Sequence, residues 1–488
     1  MDRDRFLEWA GKANVIPVYR EILADRDTPV GLLYKLGDKV RFLLESVEGG
    51  ERWGRYSILG LEPEGEIVLY PNEASIRIKE DSRRVPVGAD PLALLREQTR
   101  GFRPAEVEGI PRFSSGLVGY FSYELIHFLE RMPSLKAEAI KSPLAYLLLV
   151  KDLIVFDNVK HTMKVVVNAY LDDNSDPIRV YEDSLARIEA LMKEIENPVS
   201  TTAPEKLDRP FVRVEPEDQT FEAQVQAVQE YIRAGEAIQV VISREFSLPN
   251  VADTADLYRA LRYVNPSPYL FLLRTPQVNL IGSSPEVMVR KERNTATVRP
   301  IAGTRPRGGD EHEDQRLADE LLNDPKEKAE HVMLVDLARN DLGRVAQIGT
   351  VQVTEYMTIE RYSHVMHLVS NVTAELEKGK DCYDVIAATF PAGTLTGAPK
   401  VRAMEIIHEM ESGPRGPYGG AVGYIGFDGE MDLCITIRTL VQSNGRISWR
   451  AGAGIVFDSV PQNEAMETVH KGRAMERAVE MAINGLRL

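Results

Sequence analysis

The order of strand-like and helix-like segments is the feature that most constrains the fold. Short apolar runs separated by turn residues recur through the first part of the chain: "VGLLYKL" (30–36), "IVLY" (67–70), "SIRIK" (75–79), "YLLLVKDLIVFD" (146–157) and "TMKVVVNAYL" (162–171). Such runs predict β-strands. In the second part, strands and helices mix without regular alternation, which favours an α+β fold over a doubly wound parallel sheet.

A composition break divides the chain. Residues 196–210 are rich in Pro, Thr and charge and poor in apolar side chains, which is typical of a linker or a long surface connection. A helix is predicted just before it, over residues 176–197, from apolar positions at helical spacing. We therefore predict an N-terminal region over 1–200 and a C-terminal region over 211–488, both contributing to one core.

Charge and cysteine content limit the functional classes. The 488 residues carry a formal net charge of −15 and two cysteines. This charge argues against a nucleic-acid partner, which needs clustered Lys and Arg, but it permits an anionic small molecule in a locally basic pocket. No apolar run approaches the roughly 20 residues of a membrane span. With few cysteines and an acidic N-terminus, we expect a cytoplasmic protein that does not bind membranes.

Two pairs of glutamates are candidate metal ligands. Glu464 and Glu467 lie three residues apart at the start of a predicted helix, as do Glu327 and Glu330. This spacing places both carboxylates of a pair on one helix face. Acidic residues near a helix start are commonly explained by the helix dipole alone. If the two pairs converge, however, their hard oxygen donors suit Mg2+.

Helix chemistry explains only one member of the pair Glu327 and Glu330. Asp324 is the predicted N-cap with Pro325 at the first helical position, and Glu327 then has the place of a capping-box residue. Glu330 has no such role, because it shares a face with Leu334 that should point inward. A buried carboxylate is costly unless a cation or a donor meets it.

Four glycine-rich turns, at 300–309, 390–400, 418–424 and 450–454, suggest a pocket lined by backbone amides. Such turns let amides approach an anion closely. Each of them alone is explained as a tight turn between strands, and none matches a P-loop or a dinucleotide fingerprint.

A histidine and an arginine complete the candidates. Strand alternation places His367 and His364 on opposite faces, and the period does not choose between them. A histidine on an apolar strand is usually a core residue, yet histidine also carries protons near neutral pH. Arg438 ends the apolar run "LCITIRT", which indicates a carboxylate partner from the protein or a substrate. These residues predict a Mg2+-dependent enzyme acting on a small anion.

The ordered motifs of the chain resemble those of the chorismate-utilising enzymes, and within them the component I (large-subunit) family of anthranilate synthase. The similarity runs from about residue 15 to the C-terminus. The motifs are "FLLESVEGGERWGRYSILG" (42–60), "SSGLVGYFSYELIHF" (114–128), "PIAGTRPRG" (300–308), "AEHVMLVDLARNDLGRV" (329–345), "ERYSHVMHLVSNV" (360–372), "TFPAGTLTGAPKVRAMEII" (389–407), "YGGAVGY" (418–424) and "AGAGIVFDSVPQNEAMET" (451–468).

This resemblance implies two packed antiparallel β-sheets surrounded by helices, with a site deep between them. It implies that chorismate and ammonia are converted to anthranilate and pyruvate, the first committed step of tryptophan biosynthesis. The implied metal is Mg2+, held by Glu330 and Glu467 with Glu327 and Glu464 assisting. The implied catalytic residues are His367, for proton transfer, and Thr394. The implied substrate-binding residues are Gly303, Thr304, Tyr418, Arg438, Gly452, Ala453 and Gly454.

Two positions discriminate within the family. Ala302 stands where aminodeoxychorismate synthases typically carry a nucleophilic Lys. Gln239 stands where isochorismate and salicylate synthases typically carry a water-activating Lys, and an amide side chain is not such a base. Both residues favour ammonia as the nucleophile.

The resemblance also implies a partner and an inhibitor. Cys382 and Cys434 lie in no glycine-rich nucleophile elbow, so a separate glutamine amidotransferase small subunit (component II) should supply ammonia, in a hetero-oligomer. Feedback inhibition by tryptophan is expected because "LLES" (43–46) is intact and "NPSPYLF" (265–271) has only Leu270 in place of the usual Met, a change that conserves volume. The implied inhibitor-binding residues are Glu45, Ser46, Pro268, Tyr269 and Leu270.

Two alternatives stay open. A relative that stops at the amino intermediate, a 2-amino-2-deoxyisochorismate synthase, shares "PIAGT" and the need for ammonia. A non-catalytic tryptophan-sensing subunit is the alternative of another class. The intact Glu330, Glu467, His367 and Arg438 argue against the second alternative.

Overall fold

The computed structural model describes residues 1–46, 55–133, 140, 142–198, 210–362 and 365–486. Its framework is two antiparallel sheets of twelve strands each. Both sheets combine strands from the two ends of the chain. In the first sheet β2 (Phe42–Glu45) pairs with β13 (Tyr269–Arg274), and in the second β7 (Gly116–Phe121) pairs with β21 (Ala421–Gly426).

The strands of the first sheet follow a spatial order that differs from the chain order. From one edge to the other they are β1 (Val15–Leu23), β10 (Thr162–Tyr170), β9 (Asp152–Asp157), β3 (Tyr56–Gly60), β2, β13, β14 (Asn279–Ser284), β23 (Thr439–Ser443), β24 (Arg446–Ile455), β12 (Gln239–Pro249) and β11 (Arg213–Glu215), with β20 (Gly397–Ala398) paired to β12.

The second sheet is built in the same way. Its strands, in spatial order, are β17 (Ile301–Pro306), β19 (Val365–Glu375), β16 (Thr295–Val298), β15 (Val287–Glu292), β22 (Met431–Ile435), β21, β7, β8 (Ala145–Val150), β4 (Pro63–Leu69), β5 (Glu73–Ile78) and β6 (Asp81–Pro86), with β18 (Gln352–Arg361) paired to β19.

Helices cover the outer faces of the sheets. They are α1 (Arg3–Ala10), α2 (Pro29–Leu36), α3 (Pro91–Thr99), α4 (Ile126–Leu129), α5 (Pro177–Glu196), α6 (Asp218–Arg233), α7 (Thr254–Val264), α8 (Glu311–Asn323), α9 (Pro325–Gly343), α10 (Cys382–Thr389), α11 (Lys400–Met410) and α12 (Pro461–Ile483). In the described part of the chain, no helix is both long enough and apolar enough to cross a bilayer.

The sheets pack face to face through a buried hydrophobic cluster. Phe42, Leu153 and Phe271 of the first sheet and Val68 and Tyr120 of the second belong to one buried cluster. Burial of such side chains is the main favourable term in folding. The predicted α+β class with two packed antiparallel sheets is confirmed.

One predicted strand is wrong. Residues 30–36, "VGLLYKL", form most of α2. The side chain of Thr28 caps the first turn and Pro29 occupies its start, both of which favour a helix. Leu32, Leu33 and Leu36 are buried at helical spacing. The apolar run was too short for its period to be decisive.

The helix predicted before the composition break is confirmed as α5, whose Ile188, Leu191 and Ile195 are buried. Most of the predicted linker, residues 199–209, lies outside the described residues.

Candidate functional site

Two connections carry the chain side by side from one sheet to the other, and each places a charged residue between the sheets. Glu286 lies between β14 and β15, and Arg438 lies between β22 and β23. The Ile435 amide donates to the carbonyl of Glu286 at 3.0 Å, and the Ser283 amide donates to that of Arg438 at 3.1 Å. The two crossings are therefore held together by backbone hydrogen bonds.

Arg438 is a half-buried cation that has no acidic partner among the described residues. Burial lowers the pKa of its guanidinium, and the nearby Tyr418 acts against this shift. Among the described residues, no hydrogen bond or ion pair to its guanidinium is found. The sequence predicted a carboxylate partner for Arg438 but did not decide whether the protein or a substrate supplies it. Such a cation is costly when alone, so this arrangement favours an external carboxylate.

The free edge of β24 adds two backbone donors beside Tyr418. Val241 and Ser243 on β12 donate their amides away from β24, to the carbonyl of Thr396 and to Glu411. They pair with Gly454 and Gly452, whose own amides must then also point away from β12. The alternation of the ladder turns the Ala453 amide the other way, toward β12.

Glycine is required at these positions for space. A Cβ added to Gly452 would lie 2.7 Å from the Tyr418 hydroxyl and 3.0 Å from the carbonyl oxygen of Ile242. A Cβ added to Gly454 would lie 2.7 Å from Nε2 of Gln239. The two glycines therefore let Tyr418 and Gln239 lie directly on the strand.

We predict that Gly452→Ala displaces the Tyr418 hydroxyl and raises KM for the substrate about tenfold, because contacts below 3.0 Å force the ring or the strand to move. Steady-state kinetics measures the change. Gly413→Ala is the matched control, since an added Cβ there meets nothing within 4 Å. An unchanged KM in Gly452→Ala would contradict the placement of Tyr418.

The glutamates of α12 lie next to this edge. Glu467 pairs with Lys471 at 2.6 Å, and Lys471 also donates to the Gly452 carbonyl at 3.0 Å. Burial raises the pKa of Glu464, and Glu467 raises it further, while Lys326 at the start of α9 acts in the opposite direction. The starts of α12 and α9 are therefore near one another.

The glutamates of α9 face the same region. Asp324 caps the helix and Pro325 stands at its start, as predicted. The Glu330 carboxylate accepts a hydrogen bond from Gln239 at 3.3 Å. Glu327 accepts one from Arg305 at 3.2 Å, so the predicted capping residue contacts a side chain of β17.

The donor chemistry of these four glutamates fits Mg2+. All of them supply carboxylate oxygens, the ligands that this ion prefers. Gly303 leaves room for Glu327, because a Cβ there would lie 3.0 Å from Oε2 of Glu327. Within the described residues, no three His, Cys, Asp or Glu side chains are close enough to share an ion. Glu327, Glu330 and Glu467 contact Arg305, Gln239 and Lys471 instead.

His367 lies on β19 beside β17. Its Nδ1 is 3.2 Å from the Gly303 carbonyl and 3.0 Å from the Thr304 hydroxyl. Because a carbonyl only accepts, the first contact places the proton on Nδ1 and leaves Nε2 as the basic nitrogen. The competing candidate, His364, lies outside the described residues.

Two residues of this site, Glu286 and Lys471, were not predicted from the sequence. Glu286 is buried, and burial raises the pKa of its carboxyl to about 8, with the Thr394 hydroxyl and Lys471 acting in the opposite direction. Glu286 and Thr394 line one small cavity of about 30 Å³ with Leu334 of α9. The available signal was an acid between two apolar strands, in "NLIGSSPEVMVR". Lys471 gave none, because a lysine four residues after a glutamate is an ordinary helix pair.

The family model described as chorismate binding enzyme matches residues 40–477. The chain belongs to the chorismate binding enzyme family. It is 45% identical to "Anthranilate synthase component 1" of Pseudomonas aeruginosa over 491 residues, which covers 99% of each chain.

Two solved structures share the architecture. Anthranilate synthase component I from Streptococcus pneumoniae is 33% identical, with a TM-score of 0.77 over 93% of this chain and 99% of that chain. The menaquinone-specific isochorismate synthase from Escherichia coli is 18% identical, with a TM-score of 0.70 over 98% of each chain, and shares the fold alone.

This chorismate binding enzyme has a second cavity, of about 670 Å³, between the sheets. The residues predicted to bind an inhibitor all line it: Glu45, Ser46, Pro268, Tyr269 and Leu270. Glu45 and Leu270 are direct neighbours in the ladder between β2 and β13. The Tyr269 hydroxyl donates to Asp432 at 2.9 Å, and Arg290 also pairs with Asp432. The cavity is thus lined by both apolar and charged side chains.

Proposed function

We propose that this chain is the large subunit of an anthranilate synthase, which converts chorismate and ammonia to anthranilate and pyruvate. The observation that carries the proposal is Arg438, a half-buried and desolvated guanidinium beside Tyr418 with no acidic partner among the described residues. An anionic substrate supplies the missing partner. The relatives named anthranilate synthase component 1, similar over nearly the full chain, favour chorismate as that anion.

Chorismate is a dicarboxylate, and the site offers two kinds of carboxylate partner. One carboxylate would be bound by Arg438, the Tyr418 hydroxyl and the edge amides of Gly452 and Gly454. Charge-assisted hydrogen bonds of this type are the strong ones. Lys471, which reaches the Gly452 carbonyl, adds positive charge to the same edge.

The second carboxylate would be bound through Mg2+. Glu330 and Glu467 would hold the ion, with Glu327 and Glu464 assisting. When bound, the ion supplies a template and a charge sink for the substrate carboxylate.

The chain's own groups provide the proton transfers. Ammonia adds at C2 while the C4 hydroxyl leaves, and that hydroxyl needs a proton to depart as water. Glu286 is the acid suited to this step, because its carboxyl, with a pKa of about 8, is protonated at neutral pH. His367 then takes the C2 proton on Nε2 as pyruvate leaves, and the ring becomes aromatic.

Two residues favour ammonia as the nucleophile, because neither of them can supply or activate a different nucleophile. Ala302 offers no amine, and Gln239 is hydrogen-bonded to Glu330. The ammonia should come from a separate glutamine amidotransferase subunit, in a cytoplasmic hetero-oligomer. Both cysteines are buried, and burial raises the pKa of the Cys382 thiol to about 12 and also raises that of Cys434. Neither thiol is therefore suited to glutamine hydrolysis.

We also propose that tryptophan binds the cavity lined by Glu45 and Leu270 and inhibits the reaction. An indole ring suits the apolar walls, and the charged wall formed by Arg290 and Asp432 suits an amino acid's own charges.

One assay tests the proposal. The purified chain is mixed with chorismate, Mg2+ and an ammonium salt, and anthranilate is followed by its fluorescence. We expect anthranilate with ammonium but none with glutamine alone, and we expect added tryptophan to reduce the rate. A non-fluorescent amino product would instead identify a 2-amino-2-deoxyisochorismate synthase. Unchanged chorismate would identify a non-catalytic subunit.

His367→Ala is expected to separate the two steps. Chorismate should still be consumed while anthranilate formation falls about tenfold or more, because the C2 proton loses its acceptor. Chromatography of the quenched reaction measures the amino intermediate that accumulates. If the variant forms anthranilate at the normal rate, another group carries this proton.

A further inference from the structure

Arg305 is a cation placed among the carboxylates at the start of α9. It lies on β17, and its side chain is only 19% exposed. Its guanidinium contacts three acids: Glu320 at 3.2 Å, Asp324 at 3.0 Å and Glu327 at 3.2 Å. Each of its three nitrogens is thus directed to a different carboxylate.

One of these acids differs from the other two. Glu320 and Asp324 belong to the end of α8 and the cap of α9, whereas Glu327 faces Gly303 and stands one turn from Glu330. A guanidinium and a metal ion compete for the same carboxylate oxygens. While Arg305 is in place, Glu327 is partly neutralised and directed toward β17.

We propose that Arg305 is an internal counter-ion of the acidic site, which occupies Glu327 when no metal is bound and weakens Mg2+ binding by competing for that carboxylate. This inference rests on the Mg2+ assignment in the proposed function. The same contact prevents the carboxylates at the start of α9 from repelling one another in the metal-free protein.

The test is to titrate the full-length protein with Mg2+ alone and to measure the binding by isothermal titration calorimetry. Arg305→Gln should bind Mg2+ about fivefold more tightly than the wild type, because a positive charge near the ion is removed. Arg316→Gln is the matched control. It removes the same charge from α8, where Arg316 contacts Glu313 and Glu320 but not Glu327, and its affinity should stay within about twofold of the wild type.

Two further variants establish where the ion binds. Arg305→Lys retains the positive charge and should remain close to the wild type. Arg305→Gln combined with Glu467→Gln should lose the tight binding, which shows that the ion occupies the predicted site and not the carboxylates that Arg305 has left. Tight binding that survives in this double variant would overturn the proposal.

The remaining outcomes separate the inference from the proposed function. Equal or weaker Mg2+ binding by Arg305→Gln, with measurable binding by the wild type, overturns the role of Arg305 alone. If neither protein binds Mg2+, the metal assignment fails and the inference fails with it. Circular dichroism of each variant verifies that the fold is retained.

Discussion

Replacing Glu286 with Gln is expected to lower kcat for anthranilate formation by about a thousandfold, within the range that a general acid contributes. The carboxyl lies between the sheets next to Thr394, and burial raises its pKa to about 8. The glutamine side chain keeps the shape but cannot donate a proton to the departing hydroxyl. Stopped assays of both chorismate and anthranilate measure the loss.

The pH dependence gives a second measure of the same group. The protonated form is the active one, so the contribution of Glu286 is nearly complete at pH 7 and below and is lost as the pH rises through about 8. The residual activity of Glu286→Gln should lack this alkaline decline. A wild-type rate that shows no decline as the pH rises from 7 to 9 would contradict the assignment.

Glu292→Gln is the control for this experiment. Glu292 ends the same strand, β15, but pairs on the surface with Arg112. Its replacement removes one carboxylate from the same element but not from the small cavity that Glu286 and Thr394 line, and exposed ion pairs contribute little. We expect kcat within about twofold of the wild type.

The fold was predictable where one period was repeated over enough residues. The helix α5 extends over 20 residues and its apolar stripe fixed both its type and its buried face. The seven residues of "VGLLYKL" did not, because so short an apolar run fits a strand or a helix, and the cap at Thr28 decides it. Local chemistry at the segment's start outweighed its hydrophobicity.

The site was predictable only in part, for a related reason. Glu327, Glu330, Glu464 and Glu467 form pairs within single helices, so spacing alone brings each pair together. Glu286 has no acidic neighbour in the sequence, and its chemical environment is set by residues such as Thr394, more than a hundred positions away. Which strands pair, and hence what surrounds a lone acid, is set by long-range packing that no local pattern contains.

The ion pairs of Arg305 could not be predicted from the sequence for the same reason. In the sequence it is one arginine in "GTRPRGG", next to Arg307, and either could be a surface residue. The bulge in β17 between Ala302 and Thr304 decides which side of the strand each following residue occupies. Arg305 is thereby directed to α8 and α9, where a local pattern could not have placed it.

Replacing Arg438 with Met should separate substrate binding from stability. In most buried ion pairs, removal of one charge destabilises the protein, because the partner is left buried and unpaired. Arg438 has no acidic partner in the described part of the chain, so the substitution leaves no carboxylate stranded. We expect KM for chorismate to rise about a hundredfold, since a charge-assisted contact to the substrate is lost.

We expect this substitution not to lower the stability of the ligand-free protein. A desolvated guanidinium without a partner is itself unfavourable, and Met fills similar volume without charge, so the melting temperature of Arg438→Met should equal or exceed that of the wild type. Arg450→Met is the contrasting control. Arg450 is paired with buried Glu411 at 3.2 Å, so its loss should lower the melting temperature. If Arg438→Met melted as low as Arg450→Met, the guanidinium would have a partner within the protein, and the argument that a substrate carboxylate completes this site would fail.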